Sequence, residues 1–300
     1  MSEMEITIGQ MRWKNPVTVA SGTFGLEYQE LINLSQLGAI VTKTITPEPK
    51  LGNEPPRIAE TEAGLLNSIG LENPGVKGFI EEELPGYRLI DTNLIVSLSA
   101  STVNEFKVLV TELDRFEGID GYEINISCPN VEKEGIAFGT DKNVVFNLVR
   151  TLRNSTQRTL IIKLSPNVTS IGEIALAAED GGADALALIN TVYGMAIDVK
   201  TKKSKMKSGI AGYSGIGIKP IALQCVYRVA QIVHIPIIGM GGIRNTNDAL
   251  EFILAGATAV AVGTYNFVNP LTTIKIINEL EMYLHKNSIS YADLIGSLQI

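Results

Sequence analysis

The sequence contains few of the residues that build disulfide frameworks and metal sites. Its 300 residues include two cysteines, Cys128 and Cys225, and two histidines, His234 and His285. The cysteines are too few and too far apart for a disulfide scaffold or a CxxC metal site. The histidines lie too far apart for HExxH-type zinc chemistry. We therefore predict no metal site on this chain.

Excess positive charge and long apolar runs are also missing. Lysine and arginine number 25 against 32 aspartate and glutamate, which gives a net charge of −7. This balance argues against non-specific binding of nucleic acid. No apolar stretch approaches the roughly 18 residues of a membrane span, and the first ten residues contain no apolar signal core. We expect a cytoplasmic protein that binds neither nucleic acid nor a membrane.

Short apolar segments alternate with amphipathic segments along the chain, whose hydrophobic content is 45%. The apolar segments predict eight strands, at residues 16–20, 39–44, 94–99, 121–127, 160–165, 185–191, 235–240 and 257–262. The amphipathic segments predict helices at residues 27–37, 103–116, 142–153, 171–178, 218–233 and 246–254. Three of these helices have candidate N-caps, Asp141, Ser170 and Asn245, whose side-chain oxygens can accept from free backbone N–H groups.

Alternation of strands and helices predicts a parallel sheet. Eight such units in a chain of this length predict an α/β fold, a (β/α)8 TIM barrel. A doubly wound open sheet is the alternative. Two long connections, 46–93 and 193–217, are predicted as inserted loops over the C-terminal face of the barrel. The second carries five lysines and is most simply a solvated loop, although contact with an acidic ligand or partner is possible. We expect one domain, residues 1–300.

Polar residues and glycines gather at the ends of the predicted strands. Catalytic residues of a (β/α)8 barrel lie at the C-terminal ends of its strands. Here those ends carry Ser21-Gly22, Lys43-Thr44, Ser97, Asn125-Ser127-Cys128, Lys163-Ser165, Asn190-Thr191, Gly241-Gly242 and Gly263-Thr264. The strand beginnings are mostly Val, Ile, Leu and Ala, so solubility alone does not explain the difference. The pattern predicts an active site at this face.

Within the fourth predicted strand, the two-residue period places Glu123, Asn125 and Ser127 on the face that points into the barrel. A buried carboxylate needs partners, because its desolvation is costly. We therefore expect Glu123 to pair with Lys43 or Lys163.

The seventh and eighth predicted strands end in glycine-rich turns. Loops at these two positions commonly bind phosphate in barrels, and glycine lets backbone N–H groups approach an anion closely. The segment 239–243 and the pair Gly263-Thr264 therefore predict a phosphate site, and the glycine-rich segment 209–217 could approach it. Tight turning without a ligand is the simpler alternative.

Cys128 differs from Cys225, which lies in an apolar predicted helix as a small buried hydrophobe would. Cys128 follows a strand end, precedes a proline and opens a polar loop. Nucleophilic catalysis would call for a histidine partner, and neither histidine is predicted at this end of the barrel. General base catalysis requires only reach and a suitable pKa. The sequence therefore favours Cys128 as a general base.

At this point the sequence resembles the class 1 dihydroorotate dehydrogenases over nearly its whole length. The resemblance rests on an ordered series of motifs: Ala20-Ser21-Gly22-Thr23, Thr42-Lys43-Thr44, Asn67-Ser68-Ile69-Gly70-Leu71, Asn73-Pro74-Gly75, the segment 125–130, Lys163-Leu164-Ser165, Ile189-Asn190-Thr191, the segment 239–243 and Gly263-Thr264. Cysteine at 128 is similar to class 1. The segments 57–61 and 137–141 are similar to the 1B catalytic subunit.

The resemblance implies oxidation of dihydroorotate to orotate with FMN as the cofactor and Cys128 as the base. It also implies a homodimer that joins a second subunit carrying FAD and a [2Fe-2S] cluster, which passes electrons to NAD+. The implied substrate-binding residues are Lys43, Asn67, Ser68, Ile69, Gly70, Leu71, Asn125, Asn130, Asn190 and Thr191. The implied FMN-binding residues are Ser21, Lys43, Thr44, Ser97, Asn125, Lys163, Ile189, Gly215, Gly241, Gly242, Gly263 and Thr264.

One residue departs from the resemblance, and several functions compete with it. The family often has asparagine where this chain has Ser97, so a contact between that residue and the flavin is in question. The competing functions are a class 1A enzyme that uses fumarate, another flavin enzyme such as dihydropyrimidine dehydrogenase or tRNA-dihydrouridine synthase, and a barrel that binds phosphate ligands without redox chemistry.

Overall fold

A computed structural model describes residues 4–127 and 138–300 of the chain. Its first element is an antiparallel hairpin, Ile6–Ile8 paired with Met11–Trp13. The backbone N–H of Gln10 donates to Thr159 Oγ1 at 3.0 Å. Because Thr159 begins a barrel strand, the hairpin packs against the N-terminal end of the barrel, away from the strand ends where the predicted site lies.

The central element is a barrel of eight parallel strands. We number these strands in chain order: β1 Val17–Val19, β2 Ala39–Val41, β3 Asn93–Leu98, β4 Gly121–Asn125, β5 Thr159–Leu164, β6 Ala185–Leu188, β7 Ile237–Met240 and β8 Ala259–Val262. The hydrogen-bonded order is β1-β8-β7-β6-β5-β4-β3-β2.

Strands β1 and β2 lie at the two ends of that order, and two hydrogen bonds join them. The Gly38 N–H donates to the Val17 carbonyl at 3.0 Å. Thr18 Oγ1 donates to the Ala39 carbonyl at 2.8 Å. The sheet therefore closes, which confirms the predicted (β/α)8 barrel and excludes the open sheet.

Helices surround the barrel between its strands. The longer ones are Val103–Leu113, Lys142–Arg153, Ile171–Gly181, Lys219–Ala230, Thr246–Leu254 and Thr272–Asn287, followed by the short helix Tyr291–Leu294. The three predicted N-caps are confirmed: Asp141 accepts from the Asn143 and Val144 N–H groups, Ser170 from Glu173 and Asn245 from Asp248. None of the helices in the described parts of the chain could cross a membrane.

The predicted helix 27–37 is wrong. This segment forms two short 3-10 helices, Leu26–Glu30 and Leu34–Gln36. Between them Asn33 accepts from the Ser35 N–H through its side chain at 3.0 Å. Asparagine offers the backbone this alternative to a continuous helix, so the apolar spacing of the segment does not produce one.

The predicted strands 121–127 and 185–191 are too long at their C-terminal ends. Asn125 Oδ1 accepts from the Ser127 N–H at 3.1 Å, and Asn190 Oδ1 accepts from the Thr191 N–H at 2.9 Å. These side chains take backbone donors that a continuing strand would have paired with its neighbour. The strands therefore end where the polar site begins.

The two long connections fold together into a second, four-stranded sheet. Its order is Val192–Gly194, Ala211–Ser214, Gly64–Asn67 and Ile58–Thr61. The first connection also contains the helical turns Gly75–Gly78, Phe79–Glu83 and Leu84–Tyr87, and the second contains the paired strands Ile197–Asp198 and Lys203–Ser204. The remaining 3-10 helices are Phe138–Thr140, Ile216–Ile218 and Thr264–Phe267.

Two predictions about individual side chains are confirmed by burial. The five lysines of the second connection are exposed, as expected for a solvated segment. Cys225 is buried in Lys219–Ala230, and this burial raises the pKa of its thiol. Cys225 is therefore a structural residue.

Candidate active site

A cavity of about 480 Å³ opens at the C-terminal end of the barrel, between the strand ends and the four-stranded sheet. Nearly every predicted site residue within the described ranges lines it. These residues are Ser21, Lys43, Thr44, Asn67, Ser68, Ile69, Gly70, Leu71, Asn125, Lys163, Ile189, Asn190, Thr191, Gly215, Gly241, Gly242, Gly263 and Thr264. Ser97 does not line the cavity, and Cys128 and Asn130 lie outside the described residues.

The charge of the cavity is opposite to that of the whole chain. Lys43 and Lys163 line it, and no aspartate or glutamate does so among residues 4–127 and 138–300, although the chain carries a net charge of −7. Opposite charge at short range favours the ionised form of a ligand. The cavity is therefore suited to an anionic ligand.

Lys163 is held in place by two partners. Its ammonium donates to Ser21 Oγ at 2.8 Å and to Glu123 Oε1 at 3.4 Å. The side chains of Lys163 and Glu123 are 6% and 2% exposed. The predicted pairing of Glu123 is thus confirmed with Lys163, which leaves Lys43 without that carboxylate.

Ser97 lies behind the cavity wall. It is fully buried, and its hydroxyl donates to Glu123 Oε1 at 3.0 Å. It is also 2.9 Å from Thr44 Oγ1, which does reach the cavity. This position does not support the contact expected between Ser97 and a flavin, because the hydroxyl already hydrogen-bonds to Glu123 and Thr44.

Lys43 is less enclosed than Lys163. Desolvation lowers the pKa of its ammonium, and the nearby charges of Lys163 and Arg57 lower it further, while Glu72 opposes them. The absence of a side chain on Gly22, at φ +73°, makes space for the Lys43 side chain, because a Cβ on Gly22 would lie 3.1 Å from Lys43 Nζ. A bound anion would add to the compensating charge that Glu72 provides.

Three polar side chains join the ends of β4 and β6. Asn190 Nδ2 donates to Ser127 Oγ at 2.8 Å and to Asn125 Oδ1 at 3.3 Å. Asn167, which follows β5, donates to the Thr191 carbonyl at 2.9 Å and accepts from the Tyr193 N–H at 3.0 Å. Asparagine presents both donors and acceptors, so this wall can bind a planar ligand with amide-like edges.

The glycine-rich end of the cavity is closely packed. Gly241 and Gly242 have φ of +130° and +81°. A Cβ on Gly242 would lie 2.8 Å from Lys219 Cβ and 3.0 Å from the Gly215 carbonyl oxygen. The ammonium of Lys219 is already paired with Asp248 at 2.7 Å and Glu251 at 2.8 Å. Lys219 does not line the cavity, so backbone N–H groups, rather than this lysine, are the donors that face an anion here.

Thr264 begins a 3-10 helix at the same end of the cavity. The first N–H groups of a helix have no intrahelical acceptor. Thr264 Oγ1 donates to Ser214 Oγ at 2.8 Å, which joins the loop after β8 to the second sheet. These groups have the chemistry of a phosphate cradle.

Sequence reasoning missed part of the lining. The lining residues to which the sequence analysis assigned no individual substrate or FMN role are Ala20, Gly22, Thr23, Ile58, Leu65, Ser214, Ile218, Met240 and Phe267. Gly22 belongs to a strand end that the sequence analysis singled out. Thr23 and Ser214 adjoin predicted site residues, so their hydroxyls could have identified them. The apolar ones have no such signal, because a hydrophobic residue that faces a ligand resembles one that faces the core.

Comparisons with known proteins agree with this geometry. The family model described as dihydroorotate dehydrogenase matches residues 3–284. The chain is 52% identical over 300 residues to a protein of Thermoanaerobacter pseudethanolicus named dihydroorotate dehydrogenase B (NAD(+)), catalytic subunit, with 99% of each chain covered. Proteins of the same name in Desulforamulus reducens and Geotalea uraniireducens are 51% and 48% identical, with 99% of this chain covered and 99% and 98% of theirs. The chain therefore belongs to the dihydroorotate dehydrogenase family.

Proposed function

We propose that this chain oxidises (S)-dihydroorotate to orotate in de novo pyrimidine biosynthesis, as a single FMN-binding barrel domain. The observation that carries the proposal is the cavity itself, in which two lysines, an asparagine-rich wall and a glycine-rich end converge without a carboxylate among the described lining residues. Orotate and FMN are both anions with planar, amide-containing rings, so this one cavity matches the chemistry of both.

The residues fit FMN. Gly241 and Gly242 adopt backbone conformations that favour glycine, and together with Gly215, Gly263 and Thr264 they would hold the phosphate. Lys43, Thr44, Lys163, Asn125 and Ile189 would hold the flavin ring, and Ser21 the ribityl side. When bound, FMN accepts the hydride that leaves C6 of dihydroorotate.

The asparagine-rich wall would bind the substrate. Asn67, Asn125, Asn190 and Thr191 offer donors and acceptors to the ring amides, and Asn130 would join them. The segment Ser68, Ile69, Gly70 and Leu71 would enclose the ring from the side of the second sheet. Lys43 would bind the substrate anion, whose charge would compensate the partly buried ammonium.

Cys128 would take the proton from C5 of dihydroorotate. It follows Ser127 in the chain, and Ser127 Oγ accepts from Asn190 on the cavity wall. Both described histidines belong elsewhere: His234 is exposed just before β7, and His285 lies in Thr272–Asn287. General base catalysis by a side chain typically contributes about 10²- to 10⁴-fold.

The final electron acceptor would be NAD+, reached through a partner subunit. The names of the relatives describe a catalytic subunit that uses NAD(+), which favours this type over one that uses fumarate. With two cysteines, the chain cannot itself supply the four thiolates of a [2Fe-2S] cluster. We therefore assign FAD and the cluster to the partner, in a heterotetramer built on a homodimer of this chain in the cytoplasm.

An anaerobic titration tests the proposed reaction. Purified protein should be yellow with bound FMN, and adding dihydroorotate without oxygen should bleach the flavin absorbance and release orotate. A colourless protein that does not bind added FMN would indicate a barrel without redox chemistry. If the protein is yellow but its flavin stays oxidised after dihydroorotate is added, the enzyme acts on a different substrate.

A second assay tests the partner. The isolated chain should reduce artificial electron acceptors well and NAD+ poorly, and a pull-down should recover an iron–sulfur flavoprotein. Efficient reduction of NAD+ by this chain alone would contradict the need for a partner subunit. Rapid reduction of fumarate would support the class 1A alternative.

A further inference from the structure

A buried chain of hydrogen bonds connects Thr44, which follows β2, to Lys163 on β5, and both residues reach the cavity. Thr44 Oγ1 lies 2.9 Å from Ser97 Oγ, Ser97 donates to Glu123 Oε1 at 3.0 Å, and Lys163 donates to the same oxygen at 3.4 Å. Ser97 and Glu123 are 0% and 2% exposed. Thr44 and Lys163 line the cavity, while Ser97 and Glu123 do not.

The direction of each hydrogen bond follows from counting protons. A serine or threonine hydroxyl has one proton, and a carboxylate only accepts. Ser97 directs its proton to Glu123, so Thr44 must donate to Ser97 rather than accept from it. The Thr44 oxygen then faces the cavity only as an acceptor.

The same count applies to Lys163. Its ammonium has three N–H groups. One donates to Ser21 Oγ and one to Glu123, which leaves one for a ligand. Lys163 therefore offers the cavity one donor, backed by a positive charge that the Glu123 carboxylate partly offsets.

We infer that Glu123 is a positioning residue that fixes an acceptor at Thr44 and a charge-balanced donor at Lys163, and so sets the reduction potential of a bound flavin. This inference rests on the proposed binding of FMN. Glu123 acts through other residues, because it does not line the cavity. Among the described lining residues Lys43 is the other cation, and Glu123 pairs with Lys163 rather than with it.

The expected effect has a definite sign. Reducing a flavin by two electrons with uptake of one proton adds a negative charge to it. Replacing Glu123 by glutamine removes a negative charge beside Lys163, so the reduced flavin is favoured and the potential rises. Replacing Lys163 by methionine removes a positive charge, so the potential falls. In the Lys163→Met background, Glu123→Gln should change the potential less than it does in the parent, because the ammonium that Glu123 positions is absent.

The experiment measures the midpoint potential of bound FMN in Glu123→Gln, Lys163→Met and the double variant. The matched control is Glu173→Gln, because Glu173 also pairs with a lysine, Lys142, but both side chains are 58% exposed. We expect Glu123→Gln to favour reduced over oxidised flavin about tenfold, which is about 30 mV for a two-electron couple. A potential equal to that of the control, in a variant that binds FMN, would overturn the inference.

Two further measurements keep the result interpretable. Ser97→Ala removes the partner of the Thr44 hydroxyl, so FMN binding should weaken several-fold. Because the substitution removes no charge, the potential should stay close to that of the parent. If it instead raised the potential as Glu123→Gln does, the charge argument would be wrong.

Urea unfolding of the cofactor-free protein should also reveal coupling between Glu123 and Lys163, and additive effects of the two substitutions would contradict their pairing. If FMN does not bind to the parent protein, the proposed function fails, while this coupling still tests the pair.

Discussion

Asn190 Nδ2 donates to Ser127 Oγ at 2.8 Å, and this hydrogen bond joins the loop after β6 to the residue that precedes Cys128. The same amide donates to Asn125 Oδ1 at 3.3 Å, at the last residue of β4. One side chain thus fixes both the end of a strand and the start of the segment that carries the proposed base.

Replacing Asn190 by alanine should therefore impair catalysis more than folding. Three side-chain hydrogen bonds of Asn190, to Asn125, Ser127 and the Thr191 N–H, are lost together with a proposed substrate contact. We expect kcat/KM for dihydroorotate to fall roughly 10- to 100-fold with FMN still bound. Steady-state kinetics and the flavin spectrum check this. Asn287→Ala is the control, because that exposed amide only caps the Tyr283 carbonyl, and it should leave kcat/KM unchanged. Equal losses in both variants would contradict the role of Asn190.

The barrel could be predicted because its signals are local. A short apolar strand followed by an amphipathic helix repeats along the chain, and the predicted bounds 142–153 and 246–254 match the helices Lys142–Arg153 and Thr246–Leu254. Both helices begin at an Asp or Asn that accepts backbone N–H groups. A capping Asp or Asn followed by an amphipathic segment is enough to predict where a helix begins.

The second sheet could not be predicted in the same way. Its middle strands, Gly64–Asn67 and Ala211–Ser214, come from segments about 150 residues apart, as the bond from Ser214 Oγ to the Leu65 carbonyl illustrates. Pairing at that distance depends on the barrel that holds both loops, and no local pattern encodes it. The lysines of the second connection correctly predicted that this segment is exposed, but they did not indicate that it contains strands.

The site was largely predictable because its polar residues stand out at strand ends. Lys43, Lys163 and Asn190 are all conspicuous at the ends of apolar segments, and each lines the cavity. Ser97 illustrates the limit of such reasoning. Its position at a strand end is the same, but whether a hydroxyl turns to a ligand or to a buried carboxylate depends on Glu123, one strand away.

Replacing Cys128 by alanine should remove most turnover while retaining FMN and orotate. The missing thiol leaves C5 of dihydroorotate without a base, so we expect kcat at neutral pH to fall by about 10²- to 10⁴-fold. Stopped-flow reduction of the flavin measures this step, and the shift of the flavin spectrum on adding orotate monitors binding. Cys225→Ala is the matched control, since that thiol is buried in a helix. Full turnover by Cys128→Ala would remove Cys128 from the role of base.

Replacing Cys128 by serine should leave a small activity that grows with pH. A hydroxyl is a weaker acid than a thiol, so its ionised form becomes available only at higher pH. The rate of flavin reduction, measured across the pH range in which the protein stays folded, should keep rising where that of the parent has levelled off. A profile with the same shape as the parent's would argue against proton transfer to this position.

Replacing Gly242 by alanine should impair binding of the FMN phosphate in particular. The new Cβ would lie 2.8 Å from Lys219 Cβ, so the loop after β7 must move. We expect FMN to bind at least tenfold more weakly, about 1.4 kcal/mol, while riboflavin, which has no phosphate, is affected less. Calorimetry with both ligands measures the difference.

Gly209 provides the control for that experiment. It shares a positive φ, +75° against +81° at Gly242, but a Cβ there would have no neighbour nearer than 4.0 Å among residues 4–127 and 138–300. Both substitutions should destabilise the fold by about 1–3 kcal/mol through backbone strain. Only Gly242→Ala should reduce the preference for FMN over riboflavin. A similar reduction in Gly209→Ala would assign the effect to strain alone.

Replacing Lys43 by methionine should stabilise the empty protein and weaken ligand binding. Desolvation lowers the pKa of this ammonium in the folded state, so the unfolded chain holds its proton more tightly. The destabilisation is complete below the folded pKa and is relieved as the pH rises toward the ordinary value of about 10.4. Lys43→Met should therefore raise the urea midpoint at neutral pH, with a gain that shrinks in alkali, and orotate should bind at least tenfold more weakly. Lys142→Met, at an exposed lysine paired with Glu173, should show neither effect; an equal gain there would refute desolvation as the cause.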